Sequence, residues 1–129
     1  MATINLTSTI NSTGLTSDSI AVNVLKAATV TTGGISRTST TAVQNTKETL
    51  LAHASYPNPT ATSSVYVYIK NAGSITIRLS VLGNTGNDTE DEISLAAGAW
   101  TLFPWQSGTN ITVYQTSAGT TLIEHGVFG

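Results

Sequence analysis

The segment Val65–Asn71, VYVYIKN, alternates two kinds of side chain without a break, and SITIRLSVL resumes the pattern three residues later. A repeat of two is the side-chain period of a β-strand. In the first run Val65, Val67 and Ile69 share one face, and Tyr66, Tyr68 and Lys70 share the other. In the second, Ile75, Ile77, Leu79 and Val81 oppose Thr76, Arg78 and Ser80. Asn71-Ala72-Gly73 has turn chemistry. The two runs are therefore expected to pair as an antiparallel hairpin with a buried aliphatic face.

The remaining segments extend this β reading. Ile20, Val22 and Val24 alternate with Ala21 and Asn23. Ala28–Thr32 and Ser36–Val43 read as strands around Gly33-Gly34, a pair able to supply the positive φ of a tight turn. Glu48–Ala54 reads as a strand, with a short helix capped by Thr46 as the alternative. Pro57 and Pro59 then impose a turn or extended loop. Gly83–Glu92 is a long polar loop. Glu92–Ala96 and Ala99–Trp105 flank Gly98, Asn110–Gln115 points Ile111 and Val113 inward, and Thr120–Phe128 is the last strand. Short strands at this spacing, with no long amphipathic helix and no fixed repeat, predict an all-β antiparallel sandwich, jelly-roll-like in form. The polar, weakly patterned residues 1–18 are expected to form an extended N-terminal arm, and residues 19–129 the sandwich domain.

Composition narrows the partners. The chain has 129 residues and is 40% hydrophobic, enough for one packed domain. Only 9% of it is charged, against about 25% in an ordinary soluble domain. Thr, Ser, Asn and Gly fill the difference. A surface this poor in charge is expected to be covered by partners, with exposure to a harsh medium as the alternative. The 5 basic residues, Lys26, Arg37, Lys47, Lys70 and Arg78, form no run, so neither nucleic acid nor a membrane surface is an expected partner. There is no cysteine, hence no disulfide, thiolate zinc site or thiol nucleophile. The opening MATINLTSTINS lacks the basic and apolar regions of a signal peptide, and no run reaches membrane-span length. Synthesis in the cytoplasm is expected.

Candidate chemistry is sparse. Asp88, Glu90, Asp91 and Glu92 crowd one loop, but their spacing is not that of a calcium-binding EF-hand, and a solvated hairpin tip explains them. The histidines are His53 and His125. Glu124 and His125 are neighbours on a strand, so they leave on opposite faces and make no acid/base dyad there. No nucleophile elbow or phosphate-binding loop is present. The expectation is a non-enzyme with no catalytic residue, cofactor or metal.

The aromatic residues carry more information. In AWTLFPW, Trp100, Leu102 and Pro104 lie on one face, and Thr101, Phe103 and Trp105 on the other. A strand apolar on both faces is covered on both. One cover is the opposite sheet, and the other is a loop or a second subunit. Pro104 cannot donate to a ladder and belongs at an edge or a strand end. The expected subunit or partner interface comprises Tyr66, Tyr68, Trp100, Phe103 and Trp105, with Ile4, Leu6 and Ile10 from the arm. A stacking platform for sugars is the alternative use of the same rings.

Three motifs together resemble small β-rich virion structural proteins of tailed bacteriophages. They are the "YV-IKN" strand (Tyr66, Val67, Ile69, Lys70, Asn71), the "L-x-aG-x-W-x-F-P-W" strand (Leu95, Gly98, Trp100, Phe103, Pro104, Trp105) and a terminal strand with Leu122, Glu124, Val127 and Phe128. The resemblance covers the C-terminal half. Ala99 stands where an acid is common in such proteins, and His125 where an aromatic is common. The resemblance implies a jelly-roll or sandwich subunit, homotrimeric, that decorates a capsid as a cement protein and binds the phage major capsid protein. Its place would be the virion. A tail, baseplate or fibre component is the alternative within the class, and a small carbohydrate-binding module the alternative outside it.

Overall fold

The computed structural model describes residues 2–12, 20–30, 33–40, 46–56, 65–81, 93–105 and 109–128. Ten strands account for most of them: β1 (Ala2–Ser12), β2 (Ile20–Val30), β3 (Gly33–Thr40), β4 (Glu48–Leu51), β5 (Val65–Asn71), β6 (Ile77–Ser80), β7 (Ile93–Leu95), β8 (Trp100–Trp105), β9 (Ile111–Gln115) and β10 (Thr121–Phe128). A single 3-10 turn, His53–Ser55, interrupts them, and no α-helix occurs among the described residues. The all-β expectation holds.

Eight strands form two antiparallel four-stranded sheets, ordered β3-β10-β5-β8 and β4-β9-β6-β7. Their facing sides enclose the core. Val65, Val67, Ile69, Trp105, Ile123 and Val127 come from the first sheet, and Leu51, Ile77, Leu79, Leu95, Ile111 and Val113 from the second. Alternation in β5 is complete: each odd-numbered residue from Val65 to Asn71 is buried and each even one half-exposed. That is the pattern of a strand with one face on a core.

The expected hairpin between residues 65–71 and 74–82 does not form. Both strands exist, but β5 lies in the first sheet and β6 in the second. Their aliphatic rows meet across the core instead of lying side by side. The crossing is held by Asn71, which is fully buried. Its Nδ2 donates to the carbonyl oxygens of Ile75 (2.8 Å) and Leu95 (2.9 Å), and its Oδ1 accepts from the Gly73 amide at 3.1 Å. Residues 72–76 are thus a bridge between sheets. Gly73 fits there because a Cβ would stand 2.9 Å from the Leu122 amide nitrogen.

Two other expectations need amendment. Gly33 and Gly34 do not turn a hairpin: they begin β3, which pairs with β10, while β2 pairs with β1. Positive φ occurs instead at Gly98 and Gly119 among the described glycines. Glu48–Ala54 is a strand only as far as Leu51. A register shift between Thr49 and Leu51 sets Leu51 opposite Ile111 in the core. The chain then closes a 3-10 turn, Ser55 N donating to Ala52 O at 3.0 Å, with Asn110 Oδ1 accepting from His53 N at 3.0 Å. Ala2–Ser12 pairs along its whole length with Ile20–Val30 in a separate two-stranded sheet. The expected boundary at 18/19, Pro57 and Pro59, and the acidic loop with Asp88, Glu90, Asp91 and Glu92 lie outside the described residues.

Candidate docking face

Strand pairing assembles the outer face of the first sheet from residues far apart in sequence. Paired residues of antiparallel strands share a face, so the register defines rows. One row reads Arg37, Glu124, Lys70, Trp100 from β3 to β8. The next reads Ile35, Gly126, Tyr68, Leu102. A third runs through Phe128, Tyr66 and Pro104. With neighbouring strands about 4.8 Å apart, the β3 and β8 edges lie about 14 Å from each other.

Exposure is greatest at these two edges. Ile35 is 63% exposed and Trp100 59%, the large apolar residues most open to solvent among those described. Between them the surface is lower. Gly126 is buried, and the Phe128 ring lies over it, leaving a Cβ there only 2.9 Å from the ring. Tyr68 and Trp100 form a tilted ring pair, centroids 6.3 Å apart with planes at 40°. These residues sit on strands, so their positions are fixed by the ladder rather than by a loop.

The polar row is organised around Glu124. Its Oε2 accepts from Arg37 Nε and from Nη2, both at 2.9 Å, and its Oε1 accepts from the Tyr68 hydroxyl at 3.2 Å. The Arg37 hydrogen bond, helped by that of Tyr68 and by the positive charges of Arg37 and Lys70, holds the Glu124 carboxyl below its ordinary range against a smaller opposing effect of burial. Tyr68 is pushed the other way, first by burial and then by its bond to the Glu124 carboxylate. The carboxylate therefore stays ionised and the phenol protonated at neutral pH, which keeps the O–H as donor.

Of the residues expected at an interface, Tyr66, Tyr68 and Trp100 meet on this face. Trp105 does not join them. It is 4% exposed, a core residue whose ring meets Tyr56 edge-on at 6.0 Å and 70°. Phe103 is half-buried and packs against the same core. The reason is the strand period: β8 turns Trp100, Leu102 and Pro104 outward and Phe103 and Trp105 inward. Pro104 is at an edge, as its missing donor requires, because β8 closes the sheet. Ile4, Leu6 and Ile10 lie on β1, in the separate hairpin.

Sequence reasoning missed Ile35, Arg37 and the Glu124 link as parts of this face. Arg37 and Glu124 are 87 residues apart, and nothing local in GGISRTST announces its partner. His125 leaves on the opposite side from Glu124. It pairs with Ile69 and Ser36, its Nε2 lies 3.4 Å from Thr38 Oγ1, and burial depresses its pKa. The face thus offers rings, aliphatic groups and one satisfied ion pair.

Among the described residues no group of three or more His, Cys, Asp or Glu side chains is gathered as a metal site would gather them, and no helix is long and apolar enough to cross a membrane. Compared with known protein families, curated proteins and solved structures, the chain matches none of them.

Proposed function

We propose that this chain is a non-enzymatic structural subunit of a tailed-phage virion, a capsid decoration protein that assembles with its own copies and binds the outer surface of the shell. The observation that carries the reading is the outer face of the β3-β10-β5-β8 sheet. It holds Trp100 and Ile35 open to solvent on rigid strands, in a chain whose low charge leaves little else to keep such a surface wet. Tryptophan and tyrosine concentrate at the energetic centres of protein interfaces.

The strand order supports a jelly roll. Lettering the eight sandwich strands B to I, the sheets read B-I-D-G and C-H-E-F, the winding of two interlocked Greek keys found in viral capsid and lectin domains. A fold hosts many functions, so this adds a class and not a role. The same winding, with the Tyr68–Trp100 ring pair beside polar groups, favours one second reading, a carbohydrate-binding module whose platform is Trp100 and Tyr68 rather than Trp105.

The test is co-sedimentation of the purified chain with heads and with tails of the phage that encodes it. Saturable binding to heads, lost in Trp100→Glu, is the expected result. Binding to tails alone would move the protein to a tail or fibre post. Binding to neither, with glycan-array signals that vanish in Trp100→Ala, would replace this reading with the carbohydrate one.

A further inference from the structure

A sheet that does not close into a barrel ends in edge strands, each with a row of backbone N–H and C=O groups that no neighbour satisfies. Among the described strands the two sandwich sheets end in four such edges, β3, β8, β4 and β7. Three of them are blunted. β8 carries Pro104, which has no N–H to offer. β4 has four residues and a register shift between Thr49 and Leu51. β7 has three residues. β3 is different. It runs for eight residues, GGISRTST, holds no proline, and pairs with β10 from Thr40 to Gly33 without a shift. Residues 34–39 are all exposed, so neither face of this strand is covered. Proteins commonly guard such an edge with charge. The one charge on β3 is Arg37, and Glu124 draws it back over β10 at 2.9 Å.

We propose that β3 accepts a fifth strand: an extended segment of a partner protein lies antiparallel along it, with an acidic side chain opposite Arg37 and an aliphatic one, two residues further on, opposite Ile35. The backbone calls for a strand, because an extended chain is what answers a row of donors and acceptors at this spacing. Main-chain hydrogen bonds, more than buried area, carry an addition of this kind. The antiparallel sense is that of every pair in both sheets and is the more stable one. The acid follows from charge. Arg37 has a side chain 67% exposed, and its Nε and Nη2 both serve Glu124. A guanidinium has five N–H donors, and Nη1 has no partner among the described residues. The row Arg37, Glu124, Lys70 also sets two cations against one carboxylate. Ile35, 63% exposed, selects an aliphatic neighbour across the new ladder. On the other side Gly34, Ser36 and Thr38 are small and leave room for whatever the partner places there. Strand addition uses the edge of the sheet where the proposed function uses its face, and it does not depend on which particle carries the partner.

Amide NMR of the full-length chain, titrated with the end-blocked peptide Thr-Thr-Glu-Thr-Val-Thr-Thr, tests it. Shifts and slowed hydrogen exchange should fall on alternate amides of Gly33–Thr40, those that point away from β10. The same peptide with Lys in place of Glu should bind about 3-fold more weakly or worse, as loss of an exposed ion pair would give. Arg37→Gln should erase that preference, with circular dichroism confirming that the variant is folded. No peptide-induced change on β3, changes confined to the Trp100 edge, equal binding of the two peptides, or a preference that survives Arg37→Gln would each overturn the proposal. Selective binding of the Glu peptide along β3 by a chain that ignores phage heads would uphold it and remove the capsid reading alone.

Discussion

The side-chain amide of Asn71 donates to the carbonyl oxygen of Leu95 at 2.9 Å, fastening the end of β5 in one sheet to the end of β7 in the other. A second proton of the same amide serves Ile75 O at 2.8 Å. Both are donors, and both acceptors lie where the chain crosses between sheets. Asn71→Leu keeps the volume and removes the donors. It should cost about 2–4 kcal/mol in urea denaturation, since a buried group left unpaired costs about 1–3 kcal/mol. Asn71→Asp turns a carboxylate toward two carbonyls and should be less stable at pH 7 than at pH 4, where a protonated acid donates once. A variant as stable as the parent would mean the crossing is held by packing alone.

The two tryptophans should separate cleanly. Trp105→Ala empties the centre of the core against Tyr56 and should lose about 3–5 kcal/mol. Trp100→Ala removes a ring that is 59% exposed and should change the stability of the isolated chain by about 0.5 kcal/mol or less. Denaturation followed by circular dichroism at low protein concentration, where association does not contribute, compares them directly.

Gly73→Ala should destabilise by about 1–3 kcal/mol through crowding, because the new methyl would meet the Leu122 amide nitrogen at 2.9 Å and Thr121 Cγ2 at 3.0 Å. Gly98→Ala fails for a different reason. It has open space around it but φ of +77°, at the third position of the turn closed by Ala99 N and Ala96 O at 2.9 Å. Backbone strain alone should cost about 1 kcal/mol. Gly98→Asn, which tolerates that conformation better, should recover part of the loss, whereas Gly73→Asn should not.

Glu124 is held ionised by Arg37, so its folded pKa lies below its unfolded one. The stability it adds is therefore complete above the unfolded carboxylate value, about 4.3, and disappears as pH falls through the lower folded value. Glu124→Gln should flatten that part of the acid limb while leaving stability at pH 7 little changed, as expected of a pair whose Arg37 end is largely exposed. An acid limb identical in both proteins would mean that Arg37 does not hold the carboxylate in solution.

His125 acts in a higher window with the same sign. Burial lowers its folded pKa, so the unfolded chain takes up the proton first. Stability should begin to fall as pH drops below about 6.5, the ordinary histidine value, and keep falling down to the folded pKa. His125→Gln should remove this component. Thermal melts at pH 7.5 and 5.5 give the comparison, and an equal drop in both proteins would remove His125 as the cause.

Period-two alternation at Val65–Asn71 was enough to announce a strand with Val65, Val67 and Ile69 inward, Asn110–Gln115 and Thr120–Phe128 also read as strands of an all-β sandwich, and the missing donor of Pro104 restricted it to an edge or a strand end, of which the structure shows the edge. These are local properties: a strand's faces follow from its own covalent geometry. Partners were another matter. β5 and β6 look like a hairpin from their spacing and are not one, because Asn71 carries the chain between sheets. The outer face of the first sheet depends on β3 finding β10, and nothing near Arg37 names Glu124. Backbone hydrogen bonds are the same for every pair of strands, so pairing is chosen by which side chains pack together once loops have closed. That choice is a property of the whole folded chain, and it decided which of the two faces of β8, that of Trp100 or that of Trp105, met the core.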